Sequence, residues 1–144
     1  MNVNDVIEFN YSNNLFNVET FIQNKELDTS GNLIDSKNKV GVSDYIAVQP
    51  GKLICFSNNG KSLPQYNLFF ISEYGTDKNY IKRVTATDAG YKYTVPNNVY
   101  FVRICILNSI ILKFQMEYNS ISEWSKYAKL TNIKRSEERR VGKE

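Results

Sequence analysis

From Tyr45 to Glu117 the apolar positions recur with a period of two, the signature of half-buried strands rather than helices. "DYIAVQPG" predicts a short strand stopped at Pro50-Gly51, and "KLICFS" predicts the next, ending at the turn cluster "NNGKS". "YNLFFIS" and "YIKRVTA" follow, separated by "EYGTDKN". "YKYTVP" ends at Pro96, which cannot donate to a ladder. "NNVYFVRICIL" is the longest run, "IILKFQME" comes next, and "ISEWSKYAKL" closes the domain. Short runs between Gly, Asn, Asp and Pro turns predict an all-β, antiparallel two-sheet sandwich. The only helical signal is a single turn between Asn17 and Asn24.

The alternation also assigns sides. In "YFVRICIL", Tyr100, Val102, Ile104 and Ile106 share one face, and Phe101, Arg103, Cys105 and Leu107 share the other. Burying Arg103 unpaired would be costly, so the first set is the core face. By the same parity Ile46, Val48, Ile54 and Phe56 point inward. Cys55 and Cys105 then point away from the main core, as free thiols within apolar strands.

A chain of 144 residues with 42% hydrophobic and 23% charged residues fits one globular domain rather than a disordered segment. The 18 Asn and 10 Tyr reflect residues with A/T-rich codons and so carry little chemical information. The absence of histidine excludes Ser-His-Asp and Cys-His arrangements and most zinc sites from this chain. "NGKS" (Asn59 to Ser62) mimics the end of a phosphate-binding loop, but Cys55 stands where its first glycine belongs. Glu73 and Asp77, in "SEYGTD", are read as solvated loop acids. "NYS" at Asn10 fits a glycosylation sequon without a secretory signal to support it. No apolar run spans a membrane and no signal sequence precedes the domain, so synthesis and retention in a cytoplasm are expected.

Five stretches carry a resemblance: "NLFN" (Asn14 to Asn17), "SDYIAVQPGKLICFS" (Ser43 to Ser57), "FFISEYGTDKNYI" (Phe69 to Ile81), "YTVPNNVYFVRICI" (Tyr93 to Ile106) and "QMEYNSISEWSKYAKL" (Gln115 to Leu130). In this order and spacing they resemble the carbohydrate-binding-module-like jelly-roll domain of phage tail fibre, baseplate and minor structural proteins. Two positions depart from that pattern. Ile71-Ser72 stands where the family usually has Tyr-Asp, with Glu73 as the nearest substitute. Asn119 stands where a Gly is usual, and Asn still tolerates the left-handed conformation.

The resemblance implies a jelly-roll domain over residues 14–130 behind a lead-in over 1–13. It further implies a non-catalytic protein of the virion tail, made in the bacterial host's cytoplasm and needing no cofactor or metal. Its partners would be a bacterial cell-surface glycan and other tail subunits, in a homotrimer, with no nucleic acid and no membrane. Sugar binding needs an aromatic platform beside planar polar groups. The candidates are Tyr74, Tyr80, Tyr91 and Trp124, with Asp77, Asn79 and Arg103. Against this stands ordinary packing, since tyrosines at alternate strand positions make cross-strand pairs and Trp124 suits a cap on one end of the sandwich. Two other roles remain open: a structural adaptor that binds only neighbouring subunits, and the accessory module of a secreted glycan hydrolase.

Residues 131–144 are read as a truncated end. Within them "RSEERRVGKE" (residues 135–144) matches, codon for codon, one frame of a common sequencing adapter and is expected to be an artefactual tail. Without it the net charge falls from +3 to +2 (14 Lys and Arg against 12 Asp and Glu), which leaves no basic arm for nucleic acid.

Overall fold

The computed structural model describes residues 12–86 and 88–128. The expectations for most of the lead-in and for the tail at 131–144 lie outside the described residues. In chain order the strands are β1 (Ile22–Gln23), β2 (Lys25–Leu27), β3 (Leu33–Asp35), β4 (Val40–Val42), β5 (Ile46–Ala47), β6 (Leu53–Asn58), β7 (Lys61–Ser62), β8 (Leu68–Tyr74), β9 (Tyr80–Thr85), β10 (Lys92–Thr94), β11 (Phe101–Leu107) and β12 (Phe114–Tyr118). The helical turn expected after Asn17 is a 3-10 turn at Val18–Thr20, capped by the Asn17 side chain. Among the described residues no helix is long and apolar enough to cross a membrane.

All pairings are antiparallel, and the fold is an all-β sandwich. The larger sheet runs β1-β4-β11-β8-β9, with β5 sharing the β4 edge of β11; the smaller runs β10-β6-β12, with β7 beside β10 on β6. Two predicted turns set these crossings. Pro50-Gly51 reverses the chain between sheets, with Gly51 at φ 85° and the Lys52 amide bonded to the Gln49 carbonyl. Asn59 and Gly60, both at positive φ, make the two-residue hairpin between β6 and β7.

The core lies between the sheets. Ile46, Val48, Ile54, Phe56, Val102, Ile104 and Ile106 are all buried there, as their shared parity requires. Tyr100 is a correction, because it is 40% exposed. The Val99 amide closes a turn onto the Pro96 carbonyl, and this turn carries Val99 into the core ahead of β11. Tyr100 thus stands at the very end of the sheet, its amide bonded to the Tyr74 carbonyl and its carbonyl accepting from the Val48 amide, where parity no longer guarantees cover.

Both cysteines face away from this core, and both are free and buried. The outer faces of the sheets are covered by segments that carry little periodic signal. Cys105 lies opposite Val42, and the β2–β3 hairpin packs over β4 with Leu27 buried. Burial pushes the Cys105 thiol up to about 12. Cys55 lies opposite Glu117, whose carboxylate accepts from the Ser122 amide and hydroxyl and so pins the closing segment. Gln115 adds a second anchor, accepting from the Ser125 amide. The described part of "ISEWSKYAKL" is therefore an irregular strap, not a strand.

Candidate functional site

Ile46 and Ala47 pair with Val102 and Phe101, so the chain just before β5 runs beside Arg103. Because Ile46 takes the inward position, Tyr45 must point outward. Its ring meets Tyr74 edge-on at 4.9 Å, and the Arg103 guanidinium lies over it at 4.9 Å. Lys78, from the β8–β9 turn, reaches the same ring at 5.2 Å and Phe101 at 5.3 Å. Arg103 is held in place because its Nε–H donates to the Ser43 carbonyl, and the Ser43 hydroxyl accepts from the Ile104 amide. The result is an aromatic and cationic patch on the outer face of the larger sheet.

Tyr45 and Phe101 also form one wall of a cleft of about 330 Å³, completed by Asn17, Thr20, Asp44 and Tyr127. A second, more polar cleft of about 540 Å³ adjoins it through Leu15, Ala47 and Tyr127, and adds Asn13, Gln49 and Tyr118. Asp44 caps the amide of Tyr45 with its carboxylate, which fixes the entry to the strand. Rings beside amide, hydroxyl and carboxylate groups in an open cleft suit a polar ligand with apolar faces.

The candidates named from sequence divide into two groups. Tyr74, Tyr80 and Arg103 meet on the outer face, with Asp77 and Asn79 exposed in the adjoining turn. Tyr74 is buried, so it supports the patch rather than offering a stacking face. Burial raises its phenol, while the Arg103 charge pulls it back down. Tyr80 is half-buried and donates to the Thr29 carbonyl at 2.8 Å. Tyr91 and Trp124 lie elsewhere: Tyr91 stacks on Phe56 against the core, and Trp124 packs under Lys113 at 4.1 Å, outside the two clefts.

Glu73 is a second correction. It is not a loop acid but a residue of β8 opposite Val102, 1% exposed, on the core side of the sheet. Its Oε2 accepts from the Tyr93 hydroxyl of the facing sheet at 2.6 Å, and Oε1 has no partner among the described residues. Burial, then that hydrogen bond, pushes the Tyr93 phenol far above its usual range. Sequence reasoning missed Tyr45, Phe101, Lys78 and Tyr127. Parity was the available signal for the first two, since Ile46 inward sends Tyr45 outward and Phe101 shares a face with Arg103. No pattern marked Lys78 or Tyr127.

No protein-family model, no curated protein and no solved structure matches this chain.

Proposed function

We propose that this chain is a non-catalytic, tail-associated domain of a phage virion that binds bacterial surface polysaccharide during host attachment. The observation that carries this reading is the cleft walled by Tyr45, Phe101 and Tyr127 and edged by Asn17, Thr20 and Asp44. Ring faces take the CH surfaces of a sugar, and the planar polar groups take its hydroxyls. The five sequence stretches that resemble tail-associated domains supply the setting.

A panel of immobilised bacterial polysaccharides tests the reading. At least one is retained by the protein, and Tyr45→Ala weakens that retention by about tenfold, the loss typical of an aromatic anchor, without changing the far-ultraviolet spectrum. A silent panel overturns the reading. The structural adaptor then takes its place, favoured by a nearly apolar hollow of about 180 Å³ lined by Tyr66, Leu68, Phe69, Phe70 and Thr85, where Tyr66 is 61% exposed. In that case sedimentation shows an oligomer that Tyr66→Asp disperses.

A further inference from the structure

We infer that the polysaccharide taken by this cleft is anionic, carrying a carboxylate or phosphate that is read by Lys78 and Arg103; the inference rests on the glycan-binding reading above. Both cations lie against the rings that wall the cleft, at 4.9 Å to 5.3 Å from the Tyr45 and Phe101 centroids. Among the described residues the ion pairs are Lys25 with Asp35 and Lys126 with Glu19, and neither involves Lys78 or Arg103. Arg103 uses Nε on the Ser43 carbonyl, which orients the guanidinium and leaves its terminal nitrogens without an ion pair. Arg103 and Lys78 thus bring two cations together with no carboxylate paired to either among the described residues.

Two acids stand nearby. The Asp44 carboxylate is engaged by the Tyr45 amide, and Asp77 is exposed in the turn beside Lys78. Neither pairs with the two cations. The third cation of this face, Arg83, is already committed, stacked on Phe70 at 3.9 Å and bonded to the Leu27 carbonyl. Neither cation lines the cleft itself; both stand against the rings that wall it, so the acid group they read is one that the polymer carries past the Tyr45 ring onto the outer-face patch.

The test uses a matched pair of probes, polygalacturonate and the same polymer fully methyl-esterified, together with poly(glycerol phosphate) and neutral dextran. Binding of the full chain is read by affinity electrophoresis. The acidic polymers retard the protein and their neutral counterparts do not, with retardation falling as salt is raised. Retention by polygalacturonate alone, or by poly(glycerol phosphate) alone, identifies which acid group is read. Lys78→Gln weakens the retained interaction by about tenfold. Lys92→Gln, an equal loss of charge on β10 of the other sheet, leaves it unchanged and so excludes a general charge effect. Equal retardation by the acidic and esterified polymers, or by Lys78→Gln and Lys92→Gln variants alike, overturns the anionic assignment while leaving glycan binding intact. Failure of every acidic polymer, with a neutral polysaccharide of the earlier panel still retained, does the same. Failure of every polysaccharide overturns both.

Discussion

Among the described residues, Glu73 and Tyr93 form the one hydrogen bond between acidic side chain and phenol that crosses the core, 2.6 Å long with both residues buried. Removing one partner of such a pair costs more than removing both, because the survivor keeps its desolvation penalty and loses its compensation. Tyr93→Phe therefore destabilises the protein by about 1–3 kcal/mol, measured by urea unfolding. The double variant Tyr93→Phe with Glu73→Leu is more stable than the Tyr93→Phe single. A double variant less stable than the single would mean that the Glu73 carboxyl finds another partner once the phenol is gone.

At the scale of the element, β11 is divided by its parity. Val102 is fully enclosed, whereas Arg103 is half-exposed on the other face, over Tyr45. Val102→Asp places a carboxylate inside the core between its cross-strand partners Ile46 and Glu73, at a cost of about 3–5 kcal/mol. Arg103→Ala removes one ring contact and one hydrogen bond to Ser43, so its cost is about 1–2 kcal/mol. Thermal unfolding separates the two. Equal drops in melting temperature would contradict the assignment of faces. The same division explains the site, since the strand that builds the core with its even positions presents Phe101 and Arg103 to the cleft and patch with its odd ones.

For the whole molecule, burial leaves a mark in the alkaline range. Cys105, Tyr93, Tyr74 and Tyr118 all have raised values in the folded protein, with desolvation the first cause in each. Their ordinary values are 9.0 for the thiol and 10.0 for the phenols. Above these the unfolded chain loses protons that the folded chain keeps, so the folded state binds more protons and stability falls as pH rises. From neutral pH to the thiol's ordinary value the melting temperature is level, and above that value it declines steadily. Cys105→Ala removes the earliest part of the decline. A melting temperature that stays level through the phenol range would contradict the burial of these groups.

The all-β architecture was legible in the sequence because side-chain alternation is a local property of extended backbone: Ile54, Phe56, Val102, Ile104 and Ile106 could be placed inward from spacing alone. So could the turns at Pro50-Gly51 and Asn59-Gly60, where each residue type matches the dihedral that the turn demands. Strands β1 to β4 span two or three residues each, too short for a period to register. Depth was also beyond the sequence: Glu73 and Cys105 are buried only because Tyr93 and the β2–β3 hairpin, distant in the chain, come to lie over them. The cleft has the same origin. Asn17, Tyr45, Phe101 and Tyr127 come from four separate segments, and the juxtaposition of sheet edge, entry strand and closing strap is a long-range event that no local pattern encodes.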